Sequence, residues 1–132
     1  MSSANPAPPI QRAPSLQGQT VVVIGGSAGI GLETARQAHA EGARVILAAR
    51  NPEPLQRAAS ELDALSTAAF DATDFKLLEK FFDGLPSPVD HVLVTGPGPY
   101  YAPLAELDIE KVRRDIEAHL LLPLQVARFA AK

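Results

Sequence analysis

Residues 20–31, TVVVIGGSAGIG, decide the fold of this chain. The first five residues, Thr20 to Ile24, form a β-branched run without polar alternation, which predicts a strand buried on both faces of a sheet. Glycines follow at once, and a segment of helical periodicity begins among them and runs to about Glu41, where Gly42 is a typical helix stop. A strand, a glycine-rich turn and a helix in this order are typical of a nucleotide-binding unit.

The glycine turn, residues 25–31, has a spacing that suits a pyrophosphate. Gly25 allows a tight turn, Gly29 lets backbone approach a phosphate, and Gly31 permits close packing of helix against strand. Backbone N–H groups at the start of the helix can then hold the phosphate charge. The alternative is a tight turn that binds nothing. The residues predicted to bind a cofactor here are Gly25, Ser27, Gly29, Ile30 and Gly31.

The rest of the chain repeats this alternation of short apolar runs and amphipathic segments. Further strands are predicted over residues 44–49, 67–70 and 89–95, and helices begin at Pro52, after Asp74 and near Asp108. The pattern predicts an α/β fold of the Rossmann type, a doubly wound parallel sheet of about four strands with crossover helices. Residues 18–132 are assigned to this domain, and residues 1–17, with four prolines, to a disordered tail.

Composition excludes several classes of partner. The chain of 132 residues carries a net charge of −3 without a basic stripe, so no nucleic-acid partner is expected. It has no cysteine, which excludes disulfides and thiolate metal sites, and no metal site is predicted. Pro123, Gln125 and Arg128 interrupt the most apolar stretch well short of the roughly 18 residues of a membrane span. We expect no membrane partner and a cytoplasmic location.

The last segment, from Ile109 to Lys132, is apolar on two helical faces. A helix with two apolar faces needs two partners, and the predicted sheet offers only one. We therefore expect the second face to meet further chain or another subunit, which predicts a homo-oligomer and an incomplete domain. One face contains Ile109, Val112, Ile116, Leu120, Leu124 and Ala127, and the other contains Leu121, Leu122, Val126 and Phe129.

The spacing of Gly25, Gly29 and Gly31 resembles that of the short-chain dehydrogenase/reductase family. The resemblance extends from about Gln19 to Arg128. Further matches follow in the family's order, namely Ala49-Arg50-Asn51, Phe70-Asp71-Ala72-Thr73 and Leu93-Val94-Thr95-Gly96-Pro97-Gly98. The resemblance implies a nicotinamide cofactor lying across the strand ends, and hydride transfer between NADP(H) and a small carbonyl or alcohol substrate.

Arg50 favours NADP (NADPH) over NAD as the cofactor. It lies 19 residues past Gly31, at the end of the second strand, where this fold reads the adenosine ribose. Ala49 offers no carboxylate to ribose hydroxyls, whereas a guanidinium can pair with a 2′-phosphate. Arg50 and Asn51 are therefore predicted at the adenosine end, the alternative for Arg50 being a solvated arginine at a strand end.

The remaining cofactor contacts are implied by the resemblance. Asp71 would accept a hydrogen bond from the adenine amino group beside the Ala72 backbone, or it is an ordinary cap before a helix. Gly96 and Gly98 belong to a turn that would pass along the cofactor. This sequence has Thr95-Gly96-Pro97-Gly98 where the family has Asn-Asn-Ala-Gly, and a threonine makes fewer hydrogen bonds than an asparagine.

The family's catalytic Ser and Tyr-x-x-x-Lys are not found in this chain. Tyr100 and Tyr101 are followed at the fourth position by Leu104 and Ala105, so no lysine is placed to lower a tyrosine pKa. We predict that the chain alone is inactive and that its parent is an NADP-dependent oxidoreductase.

His119 stands where the family carries an asparagine that helps a proton relay. Pro123 has no N–H to bond the backbone carbonyl of His119, so that carbonyl is left free. A relay role therefore stays open for His119 beside a purely packed one. Two other functions stay open for the whole chain. One is a non-catalytic NADP(H) sensor or regulatory module, and the other is a Rossmann domain that binds a different nucleotide or S-adenosylmethionine.

Overall fold

Four parallel strands form one sheet in the computed structural model, which describes residues 15–132. They are β1 (Thr20–Ile24), β2 (Arg44–Ala49), β3 (Ser66–Ala69) and β4 (His91–Val94). Their spatial order is β3-β2-β1-β4, with Val22 of β1 opposite Ile46 of β2 and Val92 of β4. The chain therefore proceeds from β1 outward to β3 and then returns to the other side of β1, which creates a switch point between β1 and β4.

Helices cover both faces of the sheet. They are α1 (Gly29–Ala40), α2 (Pro52–Leu62), α3 (Phe75–Asp83), α4 (Ile109–Ile116) and α5 (Leu122–Ala130), with a 3-10 turn at Leu104–Glu106 and a π-helical turn at Glu117–Leu121. Helices α1 and α2 pack on one face, and α3 and α5 pack on the other. The predicted α/β fold with a doubly wound sheet is confirmed.

The two hydrophobic cores explain why the central strands lack polar alternation. Successive side chains of a strand point to opposite faces, and both faces of this sheet are covered. Val21 and Val23 of β1 therefore meet α1 and α2, while Val22 and Ile24 meet α3 and α5. Complete burial of such a side chain contributes about 1.5–3 kcal/mol, so a polar residue is unfavourable at any of these positions.

Side-chain caps and ties set the ends of several elements. Asp74 caps α3 as predicted, because its carboxylate accepts from the N–H groups of Lys76 and Leu77. At the amino ends of the strands, Thr20 donates its N–H to Asp90 Oδ2 over 2.7 Å. Arg44 donates a guanidinium N–H to the Thr20 hydroxyl over 3.0 Å. This amino-end tie joins β1, β2 and the start of β4.

Two strand boundaries differ from the sequence prediction. Strand β3 begins and ends one residue earlier than residues 67–70, and β4 is shorter than residues 89–95. The ladder of β4 nevertheless continues beyond the strand, since Asp90 N–H donates to Thr20 O over 3.0 Å and Thr95 N–H donates to Ile24 O over 2.9 Å. Residues 1–14 of the predicted tail lie outside the described residues. Leu16 is described, and its N–H donates to Glu41 O.

The final helical segment, predicted to start near Asp108, is interrupted by a π-helical turn just before Pro123. Pro123 has no N–H to bond the carbonyl of His119, and the chain instead forms the π-helical turn, in which Leu122 N–H reaches Glu117 O. Leu122, Val126 and Phe129 of the second predicted face are buried against α3, whereas Leu121 of that face is exposed. The first face is largely exposed. Within residues 15–132, no helix combines the length and apolarity that crossing a bilayer requires.

Candidate functional site

A cleft of about 690 Å³ opens at the carboxyl ends of the strands, beside the switch point between β1 and β4. It is lined by the glycine turn, the residues that follow β2 and β3, the turn after β4, and parts of α4, the π-helical turn and α5. Its size falls within the range of small-molecule sites, and its place in the fold is where open α/β sheets bind ligands.

The three glycines of the motif have different surroundings. Gly25 has a φ of +86°, and a Cβ there would overlap the Thr95 hydroxyl. Gly31 is buried, and a Cβ there would overlap the carbonyl oxygen of Gly25. Gly29 has a φ of +55°, yet nothing lies within 4 Å of the position of its Cβ. Gly25 and Gly31 therefore hold the turn together, while Gly29 presents bare backbone to the cleft.

The amino end of α1 is suited to an anion. Ala28, Gly29 and Ile30 line the cleft, so the helix begins at its wall. Ala28 is the N-cap residue and provides no side-chain cap hydrogen bond, and the first turn contains no acidic residue. The first N–H groups of a helix lack intrahelical partners and carry partial positive charge, which favours a phosphate at this point.

Thr95 holds the glycine turn to β4. Its N–H donates to the carbonyl of Ile24, and its hydroxyl lies 3.3 Å from that oxygen and 3.2 Å from the carbonyl oxygen of Gly25. A threonine hydroxyl has one proton to donate, so the two carbonyls share a single donor. The tie expected of the family's asparagine is therefore made here with fewer donors.

Arg50, Asn51 and Asp71 lie together at one end of the cleft. Asp71 Oδ1 accepts from the Thr73 hydroxyl over 2.7 Å and from the Thr73 N–H over 3.0 Å. These bonds, together with the nearby charge of Arg50, lower the pKa of Asp71. The carboxylate is thus ionised at neutral pH, and its Oδ2 remains as a second acceptor.

Nine of the residues predicted to bind cofactor line the cleft, and three other predicted site residues do not. Gly31 lies beneath the turn, where it contacts Gly25, and Gly98 lies in the turn beyond Pro97. His119 lies beside the cleft, with its Cε1 3.9 Å from the position of a Cβ on Gly96. The lining residues are Gly25, Ser27, Gly29, Ile30, Arg50, Asn51, Asp71, Ala72 and Gly96.

Sequence reasoning missed the wall that α4 and the π-helical turn contribute. Arg114, Glu117 and Ala118 line the cleft, and no prediction assigned them to it. They are three and four residues apart and share one helical face, so their periodicity was visible. The direction of that face depends on how this segment packs in the folded chain, which the sequence does not show.

The sequence of the chain matches a protein-family model and several curated proteins. The family model for short chain dehydrogenases matches residues 19–131. A short-chain dehydrogenase/reductase of Stachybotrys chlorohalonatus is 30% identical over an alignment that covers 90% of this chain and 52% of that protein. Human L-xylulose reductase is 29% identical over 117 residues, covering 89% and 48%. The chain thus spans about half the length of these curated relatives.

Solved structures give the same result. A short-chain type dehydrogenase/reductase of Mycobacterium ulcerans matches with a TM-score of 0.82 and 27% identity, covering 89% of this chain and 46% of that one. An actinorhodin polyketide ketoreductase variant, solved with NADPH, matches with a TM-score of 0.81 and 28% identity, covering 87% and 47%.

Proposed function

The chain belongs to the short-chain dehydrogenase/reductase family, and on that premise we propose that its cleft binds NADP(H). The whole protein would be an oxidoreductase that transfers hydride between this cofactor and a small carbonyl or alcohol substrate. The observation that carries the proposal is the juxtaposition of three features in one cleft. These are the open backbone at Gly29, the guanidinium-bearing Arg50 and the carboxylate of Asp71.

The pyrophosphate would lie against Gly29 at the amino end of α1. The absence of a Cβ leaves room there, and the backbone N–H groups of the first helical turn supply donors without a side-chain competitor. Ser27 and Ile30 border the same space. This arrangement would bind the diphosphate of either nicotinamide cofactor, so it does not select between them.

Selection between the two cofactors is assigned to Arg50. Ala49 has no carboxylate to accept from the two ribose hydroxyls of NAD, whereas Arg50 can form charge-assisted hydrogen bonds with a 2′-phosphate. Asp71 would accept from the adenine amino group through Oδ2, beside the Ala72 backbone. A ketoreductase relative solved with NADPH supports this choice. The bound cofactor would supply the hydride, and the residues of this chain would bind and orient it.

We expect NADPH to bind more tightly than NADH, and Arg50→Ala to lower the affinity for NADPH about tenfold or more, because a charge-assisted pair contributes about 1.5–3 kcal/mol. The affinity for NADH should change little. Calorimetric titration of both cofactors measures the two effects.

Arg57→Ala is the matched control for this substitution. It removes another exposed arginine, paired with Glu53 on α2 and outside the cleft. Equal NADPH and NADH affinities in the unsubstituted protein, or an unchanged ratio in Arg50→Ala, would remove Arg50 from the site.

We also infer that α4 and α5 carry an association surface, in agreement with the predicted homo-oligomer. Ile109, Ile116, Leu120 and Leu124, all from the first predicted face, are 58%, 46%, 55% and 59% exposed. Contiguous exposed leucine and isoleucine side chains are typical of protein interfaces, because their burial contributes to association. Nothing within the described residues covers them.

The doubly substituted Leu120→Glu/Leu124→Glu chain should therefore remain monomeric at tens of micromolar, where the unsubstituted chain associates, because two buried carboxylates would oppose the contact. Sedimentation across a concentration series measures this. Leu104→Glu is the control, since Leu104 is 86% exposed but lies in the 3-10 turn. A monomeric unsubstituted chain at these concentrations would contradict the inference.

A further inference from the structure

The turn after β4, residues 95–101, forms one wall of the cleft but has little packing of its own. Thr95, Gly96 and Pro97 line the cleft, and residues 96–99 are exposed. A Cβ on Gly98 would meet nothing within 4 Å. Pro97 and Pro99 have no N–H, so neither can donate a backbone hydrogen bond to the rest of the protein. Thr95 fixes the first residue of the turn through its bonds to Ile24 and Gly25, so the far end of the turn must be fixed by another contact.

Tyr100 is the residue that connects this turn to α4. Its backbone N–H donates to Asp115 Oδ2 over 2.7 Å, and its phenolic oxygen accepts from the N–H of Asp108 over 3.2 Å. The ammonium group of Lys111 lies 5.4 Å from the centroid of its ring. Tyr100 is thus held at its backbone, its ring and its hydroxyl, all by residues of α4 or its cap.

The bond to Asp115 is the strongest of these three contacts. An N–H donated to a carboxylate is shorter and about twice as strong as a bond between neutral groups. The Asp115 side chain is only 29% exposed, so water competes weakly for it. Its other oxygen, Oδ1, lies 3.9 Å from His119 Nε2. Asp115 therefore stands between the turn and the histidine beside the cleft, without lining the cleft itself.

We propose that Asp115 is a positioning residue of the NADP(H) site, which holds the turn after β4 against α4 so that the wall of the cleft exists before the cofactor arrives. The proposal rests on the proposed function. A site whose binding-competent state is only partly populated loses affinity in proportion to that population. Release of the turn should therefore weaken cofactor binding even though Asp115 does not touch the cofactor.

Asp115→Ala and Asp115→Asn distinguish a role of the hydrogen bond to Tyr100 from a role of the negative charge alone. In Asp115→Ala the acceptor is lost, so amide hydrogen exchange in residues 98–101 should rise about tenfold and NADPH affinity should fall about tenfold. Asp115→Asn keeps an amide oxygen that can accept from Tyr100, so both quantities should stay within about twofold of the unsubstituted values. Glu110→Ala removes another carboxylate of α4, one that faces Arg113 at 3.5 Å, and should change neither.

The experiment consists of exchange mass spectrometry on the cofactor-free chain and calorimetric titration with NADPH, for all four proteins. Unchanged exchange in Asp115→Ala would overturn the contact itself. Increased exchange with unchanged NADPH affinity would overturn the positioning role.

Failure of the unsubstituted chain to bind NADPH would instead overturn the proposed function, and with it the role of Asp115 in that site, while exchange still reports on the contact. Loss of exchange protection throughout Asp115→Ala would signal unfolding, and Asp115→Asn would then decide. Normal exchange and normal NADPH affinity in Asp115→Asn would support the positioning role. A tenfold loss of NADPH affinity in that variant would overturn it.

Discussion

Gly29→Val is expected to lower NADPH affinity at least about hundredfold while the chain stays folded, because the new side chain would stand where the pyrophosphate meets the backbone. Nothing lies within 4 Å of the Cβ position, so there is open space at this point in the cofactor-free protein. The substitution does place a β-branched residue at a φ of +55°, at a cost of roughly 1–3 kcal/mol. Calorimetric titration and thermal unfolding measure the two effects separately.

Gly18→Val is a close control for this substitution. Gly18 also has a positive φ, +74°, and also has nothing within 4 Å of its Cβ position, but it precedes β1 and does not line the cleft. The same backbone strain should therefore lower stability to a similar extent without a change in NADPH affinity. Retained tight binding by folded Gly29→Val would show that the turn is structural and binds no phosphate.

Gly31→Ala, unlike Gly29→Val, should mainly lower the stability of the fold and not only the affinity for NADPH. The added methyl would overlap the carbonyl oxygen of Gly25 and lie 3.0 Å from the Thr95 hydroxyl. Gly25 directly follows β1 and its N–H donates to the carbonyl of Ala48 over 2.8 Å, so its backbone cannot move without disturbing that bond, and we expect a loss of about 3 kcal/mol, near the upper end for overpacked sites. Such a loss lowers the melting temperature of a domain of this size by about 10 °C.

Thermal unfolding followed by circular dichroism tests this expectation. Gly84→Ala provides the comparison, since the nearest atoms to its Cβ position are 3.6 and 3.7 Å away, which is ordinary contact. An unchanged melting temperature in Gly31→Ala would mean that the turn can relax, and the close approach of α1 to β1 would then not depend on glycine.

The sequence predicted the parts of the fold whose signals are local. The bounds of β2 agree with the structure, and α2 begins at Pro52, because β-branched runs and a helix-starting proline act over a few residues. The cap at Asp74 was predicted for the same reason. The ends of β4 were not predicted correctly. The predicted range includes Asp90 and Thr95, whose N–H groups continue the hydrogen-bond ladder although both residues lie outside the strand.

The candidate site was predictable only on the side formed by motifs. The glycine turn, Arg50 and Asp71 each follow a strand, and the carboxyl ends of parallel strands share one edge of the sheet. The wall formed by α4 and the π-helical turn depends on how this segment packs, which has no local signal, although Pro123 does mark where the helix is interrupted. The contact between Tyr100 and Asp115 joins residues 15 positions apart, so it too became visible only in three dimensions.

The amino-end tie of Thr20, Arg44 and Asp90 has a consequence for how this protein can diverge. It joins three strands at their amino ends, opposite the cleft, so it does not constrain the residues that would contact a ligand. Substitutions at the carboxyl ends of the strands can change which molecule is recognised while the tie keeps the strands in register. Selection for a new specificity and selection for persistence of the fold can therefore act on separate sets of positions.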